Sequence, residues 1–399
     1  MSHRGRWAGI PVRMIFVLAA GFIAGAGAVA GTIDDERALL VARVRALIDA
    51  LAADQQAVAR HAPFDSRERM DLRLAPLFLE GLPLAEMDTT QRRRLEEAFA
   101  IGLSDRGREK VAAIRSLERE VLEVGHGPLN LIPGMRSPDR YFLSIFGDAS
   151  PGRAFGLRFD GHHVSMNWTS VPGRAIAYTP LFLGAEPSRV PDSLPRAGLR
   201  VLAAEEDLAL ALLETMTAAE RDRARIGFAR LSGQLYRPMF VTGDPVFEPG
   251  EPEGIPRSAL SGPAARALDD LIEVYLSNFA PPVAARLREG VAGQAGTSAF
   301  AFGRRRGDGE PRFEPGRSLY YRIQAGDLVI EYDNTAPSAD HVHSMVRHSG
   351  DFGGDLLAEH RRSAHAGEIE AWSSAHSADV VSFARSDGHR EDPARSEHD

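Results

Sequence analysis

Histidine is the reactive residue type that this sequence concentrates. Five of its thirteen histidines lie between His341 and His365, beginning with His341-Val-His343, and two more are adjacent at His162-His163. Imidazole serves both as a neutral metal ligand and as an acid–base group near neutral pH. In an extended segment His341 and His343 fall on one side, about 7 Å apart at Cα, so both rings can turn to one ion. Just upstream, Glu331 and Asp333 share one face of a strand-like run whose other face is Leu328, Ile330 and Tyr332. Two carboxylates entering a loop that returns with two imidazoles make an oxygen–nitrogen site for a divalent metal. Asp355 and Glu359, one helical turn apart further on, offer an acid–base group. These patterns make Glu331, Asp333, His341 and His343 the expected metal ligands, Asp355 a catalytic candidate and Asn334 a substrate contact. The same residues also fit a structural reading: a solvated strand face, histidines bound to loop carbonyls, and carboxylates paired with Arg361 and Arg362.

The segment around His163 offers a partner for that site. Ala154 to Phe159 and His162 to Val171 read as strands, and Asp160-Gly161 between them signals a type I′ hairpin turn. One side of the second strand carries Val164, Met166 and Trp168; the other carries His163, Ser165, Asn167 and Thr169. The polar side either faces water, the usual antiparallel case and the one the rule favours, or floors a cleft. In a cleft, His163 is the catalytic candidate and Asn167 a substrate contact. A second hairpin runs from Leu319 to Asp333 around Ala325-Gly326-Asp327. If both hairpins join one sheet over one core, strand parity brings His163, Glu331 or Asp333, and at least one of His341 and His343 to one pocket.

The elements that must position these residues follow from pattern. Apolar residues at helical spacing mark helices over 34–60, 90–100, 105–124, 205–216 and 264–279, with another opening at Pro281-Pro282 and one over 354–365. Thr217-Ala-Ala-Glu220 is a capping box. Tyr141 to Phe146 and Ser298 to Gly303 read as buried strands, and 243–263 as a Gly/Pro-rich loop. No internal repeat is evident. The fold class is α+β: an N-terminal helical segment followed by antiparallel β-hairpins interleaved with helices. We expect one domain over 31–366, helical to 135 and mixed after 136, with a disordered polar tail over 367–399.

The N-terminus addresses location. Arg4, Arg6 and Arg13 precede an apolar run from Met14 to Ile23 and a small-residue stretch ending Ala28-Val-Ala30. That order is a signal peptide with an A-x-A cleavage site over residues 1–30, and the run is short for a membrane span. A periplasmic or secreted protein with no stable membrane span is therefore expected. Cleavage removes three Arg and no acid, taking the formal charge from −8 to −11. An acidic balance argues against nucleic acid as a partner and leaves a small-molecule ligand or substrate. The chain has no cysteine, which excludes disulfides, thiol catalysis and thiolate metal sites. A G-x-S-x-G elbow, a Walker loop, an H-E-x-x-H pair and a dinucleotide fingerprint are all absent. The oligomeric state has no sequence signal.

Several stretches resemble a bacterial and fungal family, domain of unknown function 3500 (DUF3500). They are Tyr141-Phe-Leu-Ser-Ile-Phe-Gly-Asp148, Gly156-Leu-Arg-Phe-Asp-Gly-His-His163, Thr179-Pro-Leu-Phe-Leu-Gly-Ala-Glu-Pro187, Glu205-Glu-Asp-Leu208, Tyr321-Arg-Ile-Gln324, Glu331-Tyr-Asp-Asn-Thr335, His341-Val-His-Ser344 and Asp351-Phe-Gly-Gly-Asp-Leu-Leu357. The resemblance runs from about Leu39 to His360 and implies one family-wide domain with a hairpin core; it brings no reaction with it. Against the family pattern Val346 replaces an aromatic residue and His348 an Asp, and the segment before Asp351 is shorter, which makes His348 a poor ligand. The residues themselves lead to two functional expectations. One is a metal-dependent enzyme, a hydrolase before an oxidoreductase. The other is a non-catalytic extracytoplasmic ligand-binding or structural protein.

Overall fold

The computed structural model describes residues 32–72, 79–124, 132, 134–226, 250–294, 296, 298–304, 313–335 and 339–354. Its first helix, α1 (Ile33–Ala50), begins at Thr32, whose hydroxyl accepts from the Asp35 amide while Asp35 reaches back to the Thr32 amide. Extended backbone at Leu51 and Ala52 ends it, so the expected helix over 34–60 is two, with α2 at Ala53–Ala59. The two-residue strand β1 (Leu82–Pro83) and a 3₁₀ turn lead to α3 (Thr89–Gly102), α4 (Asp105–Ser116) and α5 (Glu118–Val124). Four strands follow: β2 (Tyr141–Gly147), β3 (Phe155–Gly161), β4 (Val164–Ser170) and β5 (Leu181–Ala185).

The remainder opens with α6 (Ala203–Thr215) and α7 (Ala218–Ala224), the latter capped by the expected Thr217/Glu220 box. Next come β6 (Ile255–Pro256), a 3₁₀ turn, α8 (Gly262–Leu276) and α9 (Pro281–Gly293). The strands β7 (Ala299–Gly303), β8 (Tyr320–Ala325), β9 (Leu328–Asp333) and β10 (Val342–His348) complete the order. The loop expected over 243–263 thus contains a strand and a helix start in its described part. The helix expected over 354–365 and the polar tail lie outside the described residues.

All ten strands form one antiparallel sheet, ordered β1-β2-β3-β4-β5-β10-β9-β8-β7-β6. The two halves of that order mirror each other, which corrects the expectation of no repeat. Among the described residues each half runs helix, helix, two-residue strand, 3₁₀ turn, two helices, then four strands, with α5 and a 3₁₀ turn at Arg67–Met70 as the additions in the first. Gly81-Leu-Pro83 and Gly254-Ile-Pro256 start the equivalent strands, both glycines at positive φ and both against a carbonyl of the neighbouring strand. α1 packs on α3 as α6 packs on α8. The halves meet where β5 pairs with β10, Leu181 opposite Val346. They meet again in the helix layer, where Ser104 N donates to Asn278 O (3.0 Å) and Ala280 N to Gly102 O (2.9 Å). In sequence the correspondence shown is the short Gly-x-Pro turn, too little to read as a period.

Register assigns the two sheet faces. Leu143, Phe159, Met166, Leu183, Val346, Ile330, Tyr321 and Phe302 lie on the face that joins the helices in the main apolar core. The opposite face is polar, with Ser144, Arg158, Asp160, Ser165, Asn167, His343, Arg347, Glu331 and Arg322. The water rule fails for it: Asp160 and Ser165 are fully buried. Segment 61–72 is part of the cover. Arg158 donates to Glu68 O (2.5 Å) and Oε1 (2.8 Å), while Arg69 donates to Thr169 Oγ1 (3.0 Å) and Phe352 O (2.8 Å). Among the described residues Leu72, Phe182 and Met345 form an apolar patch there. Buried charge on that face is therefore compensated group by group, as burial requires.

Candidate metal centre

The first hairpin turns two residues later than its sequence suggests. Asp160 and Gly161 are inside β3, paired with Ser165 and Val164, and the turn is His162-His163. Gly161 is needed for packing instead: a Cβ there would lie 2.3 Å from the Tyr141 ring. His163, the second central residue of the turn, takes positive φ (67°), as a type II turn requires and as is uncommon outside glycine. Its main chain is held by Gly184 of β5, whose N donates to His163 O (2.8 Å). Its ring packs against Gly184, where a Cβ would lie 2.7 Å from His163 Cδ2.

His341 and His343 reach the same place from the other half. The segment expected as a loop is strand β10, at the centre of the sheet between β5 and β9, and His343 pairs with Gly184 and Asp333. His163 Nε2 and His341 Nε2 are 2.6 Å apart, and His343 Nε2 and His341 Nε2 3.0 Å. One nitrogen from each of the three rings lies within 4.8 Å of the others. Each imidazole nitrogen has one in-plane site, holding either a proton or a lone pair. His341 Nε2 therefore cannot make a full hydrogen bond to both neighbours; one contact is always left poor. A cation accepting three lone pairs satisfies all three. Tetrahedral zinc would hold such nitrogens about 3.3 Å apart, about 0.3 Å wider than the His341–His343 contact and about 0.7 Å wider than the His163–His341 contact.

Burial sets the charge of the cluster. His163 is held well below the usual imidazole range by burial and then by His162, His341 and His343. His343 is lowered to about 3 by burial first. Both are neutral at pH 7, the state that ligates a metal. Phe182 lies beside His343, ring centroids 5.3 Å apart. Asp333 is raised by its burial; Thr335 N and Oγ1 donate to its Oδ1 (2.8 and 2.6 Å), and a nearby His341 opposes the rise. Behind the cluster His162 stacks on His163 at 3.8 Å. Its Nδ1 contacts Glu118 Oε1 closely, and the Arg136 guanidinium lies beside the ring, Nη1 2.7 Å from Nδ1. Burial pushes Glu118 up to about 8 and His162 down to about 3. Glu186, just past β5, lies 3.6 Å from Arg136 and from His162, and groups with His162 and His163.

The structure therefore brings His163, His341 and His343 together, with Asp333 beside them. Glu331 is on the same face but two residues further along β9, where it accepts from the Tyr320 hydroxyl. Asn167 donates to Ser165 Oγ (3.1 Å), lower on β4. Asn334 is fully buried and donates to Arg317 O (3.4 Å). Asp355 lies outside the described residues. Glu118, Arg136 and Glu186 were missed, because they come from separate segments that share no spacing. Residues 35–354 match the family described as Protein of unknown function (DUF3500). The chain belongs to the DUF3500 family. No curated protein and no solved structure matches it. Within this DUF3500 chain the segments Gly156–His163, Thr179–Pro187 and His341–Ser344 are those that converge on the histidine cluster.

Proposed function

We propose that this protein is an exported metal-dependent hydrolase whose centre is built by His163, His341 and His343. The observation that carries the reading is the contact of three Nε2 atoms, that of His163 buried and those of His341 and His343 half-buried, that protons alone cannot satisfy. Three protein ligands are the pattern of a catalytic rather than a structural zinc site, since a fourth position stays open. A divalent ion bound there would lower the pKa of a coordinated water and polarise a substrate oxygen. The chain's own residues then have distinct tasks. His163 and His343 supply lone pairs; Gly184 leaves room for the His163 ring; Asp333 takes a proton from the attacking water. Glu186 and Arg136 fix His162 against His163. Asp355 and Asn167 keep proposed roles as an acid–base group and a substrate contact. The Arg-apolar-Ala30 order at the N-terminus supports export to the periplasm or beyond.

Elemental analysis of purified protein tests the centre, with zinc and cobalt titrations of the chelator-treated chain. One metal per chain is expected, with loss of binding in His341→Ala and His343→Ala. Absence of binding at micromolar metal would overturn the metal reading and leave a non-catalytic ligand-binding or structural protein. Hydrolysis of an activated ester or phosphoester that rises with metal loading would support the enzymatic part.

A further inference from the structure

The centre draws on both halves of the molecule. His163 comes from the β3–β4 turn of the first half; His341 and His343 come from the start of β10 in the second. Between them lies β5, with Gly184 hydrogen-bonded to His163 O and paired with His343. The β5–β10 pairing is the one place where the sheet passes from one half to the other. Resting on the metal reading above, we infer that the metal clamps the two halves: occupancy of His163, His341 and His343 locks the β5–β10 seam, and loss of the ion loosens that seam while each half stays folded.

The physical reason is selective linkage. A ligand stabilises only against openings that destroy its site. Separation of β5 from β10 pulls His163 away from His343 and releases the ion. Fraying of α1 from α3, or of α6 from α8, leaves all three ligands in place. The ion therefore protects the seam and not the helix pairs. Its protection reaches about a hundredfold when free metal is a hundred times the dissociation constant.

Hydrogen exchange on the full chain, with zinc at about a hundred times its dissociation constant or with chelator, reads this directly. Amides of 181–185 and 342–348 should exchange at least about tenfold more slowly with zinc, while amides of α1, α3, α6 and α8 change little. His343→Asn should exchange at the seam like the chelated wild type and ignore zinc. One zinc bound per chain with unchanged seam exchange, or with equal slowing everywhere, would overturn the clamp and leave the metal centre standing. No zinc uptake, visible as stoichiometry in the same samples, would overturn both.

Discussion

At the scale of single residues the centre depends on one missing side chain. Gly184 faces the His163 ring so closely that a methyl group would sit 2.7 Å from Cδ2 and 3.0 Å from Val342 O. In Gly184→Ala the ring must tilt away from His341. Zinc affinity should fall about 10–100-fold, as it does when the support of a ligand is disturbed, with a stability loss of about 1–3 kcal/mol. Calorimetric zinc titration checks this, and unchanged affinity would show that the ring is not held there. Glu331 gives a pH-dependent counterpart. Burial raises it to about 8, opposed by the Tyr320 hydroxyl and Arg322. The folded state then holds a proton that the unfolded chain releases above about 4.5. Stability contributed by this group is full below that pH and is lost as pH rises to about 8, by at most about 5 kcal/mol. Glu331→Gln should flatten that fall, measured as urea midpoints at pH 5.5 and 8; an unchanged slope would place the titration elsewhere. The side-by-side placing of His341 and His343 was legible from the spacing of an extended chain, whereas His163 is a turn residue outside the strand whose parity was used to place it. Glu118, Arg136 and Glu186 were not legible, because only tertiary folding sets them beside His162.

Among elements, most helices and the strands of both hairpins were legible from periodicity, but the first hairpin turn was placed two residues early, the helices expected over 34–60 and 105–124 are each two, and β5 and β10 were not seen. Both are central strands buried on both faces, so Leu181-Phe-Leu-Gly-Ala185 shows no alternation, and the histidines disguise β10 as a loop. The polar sheet face was misjudged for a related reason. Alternation reports two different environments, and here the second is a buried ion-paired layer rather than water. The equivalent β1 and β6 entries carry a test of the duplication. A Cβ at Gly254 would lie 2.1 Å from Phe300 O, and one at Gly81 2.5 Å from Leu143 O, both at positive φ. Gly81→Ala and Gly254→Ala should each cost about 2–3 kcal/mol. Similar drops in urea midpoint are expected; a neutral result at either position would break the equivalence.

For the whole molecule, stability without disulfides rests on one sheet shared by two halves and on the helix layer they build together. A metal bound at the proposed centre would add linkage on top. At a hundredfold excess over its dissociation constant it contributes about 2.7 kcal/mol, or a few degrees of melting temperature for a chain of this size. Calorimetric melting with zinc against chelator should show that shift in the wild type and lose it in His341→Ala. The likeness of the two halves has a further consequence, at the rims of the sheet. A ten-stranded antiparallel sheet ordinarily offers two ladders of open backbone groups to any unfolded neighbour. Here both outermost strands are two residues long, both end in proline, and both pass at once into a 3₁₀ turn. Proline brings no amide proton to pair with an incoming chain. Whatever guards one rim against aggregation guards the other in the same form.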